Sequence, residues 1–488
     1  MVYDNGMSDP LPLSKDVWDR TPPEAQALIV SLIHQVQILS RRLDELEATN
    51  RKLMERLGMN SRNSSKPPSS DRPDVKRAPP KQRSGKKRGG QPGHHRETRP
   101  LVPSHKVRNR IELRPTNCRA CGGELSGDDP EPLRHQVAEI PPFEPVVDEY
   151  RQHRLTCEAC GISTCAELPS GVPLGDFGPR LQSIIGLLSG VYRLGKRPIQ
   201  QLMGDLCGLS ISTGMICKLQ RRMVESLAQP MRQLQDHIRT EDANMDETSW
   251  RENRRRVWLW IVVTQGATLF RIAKTRGACV IRELLGTKVR YVVTCDRAKA
   301  YRYLKRIQWC WAHLQRDFQA MIDRGGASRQ VGTVLLGHAE VLFAWWYHLR
   351  DGTWSRSTFI KNMGNLRAAF RDELEVGAAC SCAKTAATCQ DLLSGESRLW
   401  TFVRHAGIEP TNNAAERAGR HAVLWRKCSG GTDSPQGSRF VETILSVAAT
   451  CRQQQRHVLG YLTKCCHNYL HHRRAPSLLP KVVARQSA

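Results

Sequence analysis

The segment Val289-Arg290-Tyr291-Val292-Val293-Thr294-Cys295-Asp296 decides the fold. β-Branched and aromatic residues fill it and an acid ends it, the signature of a buried strand that delivers a carboxylate. Upstream lie a helix-like run from Cys279 to Leu285 and two strand-like runs, Arg255 to Val263 and Ala267 to Ala273, parted by a Gln265-Gly266 turn. Before those stands Met245-Asp246-Glu247-Thr248. An acid-bearing strand, a hairpin, a crossover helix and a strand ending in an acid follow one another as in an RNase H-like core. That topology predicts Asp246 and Asp296 on neighbouring strands. Downstream, a third acid, Glu416, sits in Asn412-Asn413-Ala414-Ala415-Glu416-Arg417, 120 positions after Asp296. So long a gap predicts a helical insertion over roughly 318–402, including Leu336 to His348 and Phe359 to Leu374, within a core spanning 236–470.

Three hard carboxylates in such a core suit two Mg²⁺ (or Mn²⁺) ions about 4 Å apart, one activating an attacking oxygen and one stabilising a leaving oxygen. Other readings of the same residues stand beside this one. Glu247 or Asp242 is an alternative ligand to Asp246, Asp296 an ordinary turn residue, and Asn413 with Glu416 a capping box that merely starts a helix. The overall charge favours a polyanionic partner. There are 74 Lys and Arg against 47 Asp and Glu, a formal net charge of +27, which reads as an electrostatic footprint for DNA or RNA. The first 20 residues carry Asp4, Asp9, Lys15 and Asp16 and no apolar stretch of the kind export signals need. The longest apolar run, Val257 to Val263, is too short to span a bilayer. Seventeen cysteines then point to a reducing compartment and metal binding rather than disulfides. The expected setting is the cytoplasm, on the nucleoid, with no membrane partner.

The amino-terminal half reads as a string of modules, so the fold class is multidomain α+β/α/β. After a tail over 1–20, residues 21–59 carry Leu32, Val36, Leu39, Leu43, Leu46, Asn50, Leu53 and Leu57 at alternating spacings of four and three. This is a leucine-zipper-like coiled coil with one polar a position, Asn50, which favours a parallel, in-register homo-oligomer. Pro22 and Pro23 start the helix and Gly58 ends it. Residues 60–105 form a basic linker, with twelve Lys and Arg against three acids between Arg62 and Arg99, too poor in apolar groups to fold alone and suited to phosphate contact. Over 106–175, Cys118-Arg119-Ala120-Cys121-Gly122 and Cys157-Glu158-Ala159-Cys160-Gly161 are matching knuckles 35 residues apart. Cys118, Cys121, Cys157 and Cys160 suit a zinc ribbon holding a structural Zn²⁺. Over 176–235, Pro198 to Cys207, a Gly208 turn and a Ser/Thr-capped run carrying Lys218, Arg221 and Arg222 read as a helix-turn-helix for DNA. A tail covers 471–488.

Longer motifs bring in a resemblance. Asp246-Glu247-Thr248-Ser249, Asp296 with Tyr301, Cys310-Trp311-Ala312-His313-Leu314-Gln315-Arg316-Asp317-Phe318, and Thr411 to Arg417 are similar to the motifs of insertion-sequence family 66 transposases. Asn60 to Asp71 and Arg88 to His94 resemble that family's linker, so the likeness covers nearly the whole chain. The resemblance implies a DDE transposase with Asp246, Asp296 and Glu416 as catalytic metal ligands. Water would free a 3′-hydroxyl at an element end, and that hydroxyl would attack target DNA without ATP. It also allows small accessory proteins encoded alongside. Arg417, Arg420, Arg426 and Lys427, close after Glu416, are candidates to face phosphates. His313, three residues after Cys310, reads as a packing residue beside Trp309 and Trp311 more than as a zinc ligand. Two positions depart from the pattern: Arg297 stands where a small Gly is usual, and Gly419 lies inside the Glu416 helix, at a cost of about 1 kcal/mol relative to Ala.

Two other functions share these features. A transposon-derived, repressor-like protein would bind DNA through zipper, ribbon and helix-turn-helix without using the acids. A metal-dependent nuclease on the same core would hydrolyse its substrate without joining ends to a target.

Overall fold

The computed structural model describes residues 15–64, 71 and 100–480. Most of the basic linker and the ends of both tails lie outside these residues. The helices are α1 (Lys15–Asp19), α2 (Pro23–Gly58), α3 (Pro179–Gly190), α4 (Lys196–Cys207), α5 (Thr213–Ser226), α6 (Ala228–Ile238), α7 (Ala278–Leu285), α8 (Trp311–Arg324), α9 (Gly326–Arg350), α10 (Arg356–Ala378), α11 (Ala383–Ser394), α12 (Thr401–Arg404), α13 (Asn413–Ser429), α14 (Pro435–Gln453) and α15 (Val458–Leu470). The strands are β1 (Arg154–Thr156), β2 (Ser163–Cys165), β3 (Ala243–Glu252), β4 (Arg255–Val263), β5 (Thr268–Ala273), β6 (Val293–Cys295) and β7 (Ile307–Trp309). They fall into two compact units, one holding the described part of Met1–Lys76 with Ala312–Ser394, the other that of Arg77–Trp311 with Gly395–Ala488. No described helix is long and apolar enough to cross a membrane.

In the first unit α2 runs 36 residues with proline at its start, where the fixed φ is already helical and the missing N–H has no partner to lose. Its heptad stripe stays open, with Val36 59 %, Leu39 61 % and Leu46 67 % exposed. The insertion buries its own core through Phe359, Phe370 and Leu335, with Phe318 edge-on to Phe370 at 6.0 Å. Lys384 of α11 pairs with Glu55 of α2, and Asn63 donates to Asp323 of α8 over 2.7 Å. The compact insertion therefore spans 312–394 rather than 318–402. Phe402 belongs to the other unit because its N–H donates to the Gln308 side chain at 2.8 Å.

The second unit is built on a five-stranded sheet in the order β5-β4-β3-β6-β7. β3, β4 and β5 are antiparallel, while β6 and β7 run parallel to β3 and to each other. The β3–β4 turn uses Asn253 and Arg254, both with positive φ, which matches the twist of a two-residue hairpin. β6 is shorter than its apolar run: Val289 to Tyr291 lie outside it, and the Val292 N–H goes to the Asp242 side chain at 2.7 Å.

An edge strand needs cover, and here α14 supplies it. Glu442, Ser446 and Thr450, one helical turn apart, accept the N–H groups of Ile272 (2.6 Å), Phe270 (2.8 Å) and Thr268 (3.0 Å). The helices expected to form a separate helix-turn-helix join this body, with α3 and α5 packing on α14 and α15. Gly190 lets α3 approach Ile444 so closely that a Cβ would lie 2.3 Å from its side chain. The turn between α4 and α5 forms as read, with Gly208 in the left-handed region and Ser212 capping α5 by accepting from Met215 N–H.

Candidate active site

Asp246 lies mid-strand in β3 rather than at a strand end, opposite Ile261 of β4. On its other side β3 pairs with β6 only at Ala243 and Asn244, which face Val293 and Thr294. Asp246 and Asp296 each follow by two residues the last pair, Asn244 with Thr294, beyond which β6 parts from β3 while staying paired with β7. Glu416 enters from the first turn of α13, which packs across β3 and β4. Burial pushes the Asp246 carboxyl well above the usual aspartate range, and the charges of Glu247, Glu416 and Asp296 push it further. The three expected acids therefore share one electrostatic neighbourhood with a fourth, Glu247.

Three contacts fix α13 on the sheet. Asn412 is fully buried, and its side-chain amide donates to Met245 C=O at 3.1 Å while its N–H reaches Cys310 Sγ at 3.4 Å. That tie joins the residue before Asp246 to the turn that carries Glu416. Gly419 faces Ile261, where a Cβ would stand 2.6 Å from Cδ1, so the glycine that weakens the helix in isolation is what allows its approach. Arg426, expected on the DNA side, is turned inward instead. It is half-buried and donates to Thr248 Oγ1 at 3.1 Å, to Ser249 Oγ at 2.9 Å and to Ser249 C=O.

On the opposite face of β3, Glu247 is almost wholly enclosed, its side chain 1 % exposed. Arg276 donates to its Oε1 at 2.6 Å and Tyr301 to its Oε2 at 2.5 Å. The same guanidinium reaches Asp296 Oδ2 at 3.5 Å and lies over Trp258, 5.2 Å from the ring centre. Burial, then the Asp296 charge, raises the Glu247 carboxyl, against the opposing pull of Tyr301 and Arg276. Burial works against charge on Arg276, but Glu247 and Asp296 hold it protonated more firmly than usual. Sequence reasoning missed Arg276, for its partners come from three separate elements and no spacing announces it.

The donor set is hard oxygen with a local excess of negative charge, which is the chemistry divalent ions prefer. Asp246, Asp296 and Glu416 would hold such ions, which would turn their mutual repulsion into attraction. Among the described residues, no three His, Cys, Asp or Glu side chains stand close enough together to hold a metal ion. The acids are thus neighbours in charge without forming a closed ligand shell.

A family model described as "Transposase IS66 family" matches residues 177–439, more than half of the chain. The chain belongs to the IS66 transposase family. The matched stretch takes in α3 to α13, all three acids and the insertion. A second model, a family of unknown function (DUF6444), matches residues 9–100, which include α2. A relative from Sinorhizobium fredii (strain NBRC 101917 / NGR234), bearing the name "Uncharacterized protein y4qI", is 26 % identical over 239 residues. That match takes in 43 % of this chain and 43 % of the relative.

The other candidate residues of this IS66 chain divide by exposure. Lys218 and Arg221 of α5 and Arg417, Arg420 and Lys427 of α13 are exposed, while Arg222 is partly buried and lines a cavity beside α15 with Glu225 and Tyr469. Both cysteine knuckles take the expected local form. Gly122 N–H donates to Cys118 C=O (2.9 Å) and Gly161 N–H to Cys157 C=O (2.8 Å), with both glycines at positive φ. The neighbouring N–H groups of Cys121 and Cys160 hold the Cys118 and Cys157 thiols below their usual range, favouring thiolate. The two pairs do not close into a four-sulfur group among the described residues.

Proposed function

We propose that this chain is a DDE transposase that cuts DNA at the ends of an insertion sequence and joins the freed strand to a target. The observation that carries the reading is the convergence on Asp246 of the charges of Asp296 and Glu416, in a chain of the IS66 family. The strand order β5-β4-β3-β6-β7 with one acid on β3, one after β6 and one on a following helix supports an RNase H-like core. Two Mg²⁺ or Mn²⁺ ions would activate the attacking oxygen and offset charge on the leaving one. Asp246, Asp296 and Glu416, on β3, after β6 and on α13, would supply the oxygen ligands of these ions. Water attacks phosphorus and the bond to the 3′-oxygen breaks, leaving a 3′-hydroxyl and a 5′-phosphate. That hydroxyl attacks a target phosphodiester and displaces the target's own 3′-oxygen. One phosphodiester is exchanged for another, so no ATP is consumed.

The remaining parts serve DNA and assembly. The open heptad stripe of α2 pairs with a second copy of the chain, Asn50 setting the register. Lys218 and Arg221 read or hold element ends, while Arg417, Arg420 and Lys427 meet phosphates beside the acids. The two cysteine knuckles, whose local turns favour thiolate, would hold a structural Zn²⁺ on coming together. The protein works in the cytoplasm on nucleoid DNA. Purified protein with Mg²⁺ and element-end duplex should yield strand cleavage that Asp296→Asn abolishes; equal cleavage by that variant refutes the assignment. The rival, a repressor-like DNA-binding protein, would use exposed Lys218 and Arg221 alone and predicts end binding indifferent to Mg²⁺ and to all three carboxylates. A nuclease on the same core would cleave without strand transfer.

A further inference from the structure

Glu247 is a carboxylate the proposed reaction leaves without a task, and its surroundings assign one. It projects from β3 on the face away from Asp246, opposite Trp260, whose ring meets that of Tyr301 edge-on at 6.2 Å. A buried carboxylate at such a place is costly unless paired and hydrogen-bonded. Both of its oxygens are satisfied, by Tyr301 and by Arg276. A second nitrogen of the same guanidinium, Nη2, reaches Asp296 Oδ2 at 3.5 Å. Asp296 Oδ1 meanwhile accepts the Ala298 N–H at 2.9 Å, so both oxygens of the second acid are engaged. Stacking on Trp258 limits where Arg276 can swing.

We propose that the Glu247–Arg276 pair positions Asp296, with Arg276 as the rigid spacer that transmits the placement of β3 to the acid at the end of β6. This rests on the reading of Asp296 as a metal ligand. A ligand's own hydrogen-bond partners orient it and set its affinity, and a guanidinium fork spans two carboxylates at fixed separation where a lysine ammonium does not. The role has an unusual sign. Simple electrostatics makes a cation beside Asp296 a competitor of a divalent ion, so its removal should tighten metal binding. Positioning makes its removal weaken metal binding.

The test is Mn²⁺ titration of the full-length protein, with free Mn²⁺ followed by electron paramagnetic resonance. Asp296→Asn should lose the site. Arg276→Gln should weaken Mn²⁺ binding roughly 10- to 100-fold, as loss of such supporting partners does elsewhere, and Arg276→Lys should fall nearly as far because charge alone does not span both acids. Tyr301→Phe, which removes one hydroxyl from a packed ring, should shift binding in the same direction by less. Unchanged binding of element-end duplex without metal reports intact folding in each variant. Tighter or equal Mn²⁺ binding by Arg276→Gln, or wild-type affinity in Arg276→Lys, overturns the positioning role while leaving the metal site standing. Wild type and Asp296→Asn binding Mn²⁺ alike would overturn the metal-site reading itself, and this inference with it.

Discussion

Replacing Gly419 by alanine separates helix stability from catalytic geometry. In isolation the change favours α13 by about 1 kcal/mol. In place, the new Cβ stands 2.6 Å from Ile261 Cδ1, where carbon contacts rest at about 3.5–4.0 Å, so roughly 1 Å must be found. Ile261 is 1 % exposed and has little room to rotate; overpacking of this kind costs about 1–3 kcal/mol. The net effect on folding is therefore small, about 0–2 kcal/mol destabilising. If Glu416 acts as proposed, the effect on chemistry is not small, because Ile261 is the cross-strand neighbour of Asp246 and Glu416 lies one turn before Gly419. An outward shift of α13 by about 1 Å misplaces Glu416, and errors of that size cost on the order of 100-fold in rate. Cleavage of element-end duplex in Mg²⁺, measured beside denaturant unfolding, should thus show a large loss of rate with little loss of stability. Ile261→Val removes the obstructing Cδ1, at about 0.5–1.5 kcal/mol, and the double variant should recover most of the rate. Full activity in Gly419→Ala, or no recovery in the double variant, refutes the account of how α13 is seated.

Other outcomes follow from neighbouring features. Because folding raises the Asp246 carboxyl above its ordinary value of 3.8, the ionised form is disfavoured in the fold. In buffer free of divalent ions stability should fall as pH rises above that value, Asp246→Asn should be more stable than wild type at neutral pH, and the gap should narrow toward pH 3.8. A wild type as stable as Asp246→Asn at pH 7 in denaturant melts would contradict the crowding of charge. Ser446→Ala leaves the Phe270 N–H without its acceptor and should cost about 1–3 kcal/mol in the same melts; a neutral result removes the strap from the account of the sheet. Leu39→Asp and Leu46→Asp together should yield monomers by sedimentation if α2 pairs two copies, and unchanged mass would reject that role.

The β4 strand and the hairpin were legible because strand and turn residues are local signals, and the pairing of β3 with β6 followed from the order of elements. The bounds of α2 were legible for the same reason, from proline at one end and glycine at the other. What escaped was set by partners distant in sequence. Val289 to Tyr291 read as strand, yet the Asp242 side chain takes the Val292 N–H and the ladder is confined to three residues. Arg426 looked like a phosphate ligand on its own helix, and only the packing of α13 on β3 turns it to Ser249. Gly419 looked like a flaw because propensity was visible and Ile261 was not.

The strap of α14 on β5 works as a vernier. Four helical residues rise about 6.0 Å, whereas two strand residues advance about 6.4–6.8 Å, so each successive rung slips by about half an ångström. Three rungs tolerate the mismatch; a markedly longer β5 would run out of step and leave its last amides bare. The helix thereby caps the length of the strand it protects, and a single-residue insertion between Glu442 and Thr450 would rotate the later teeth by about 100° and unzip the edge.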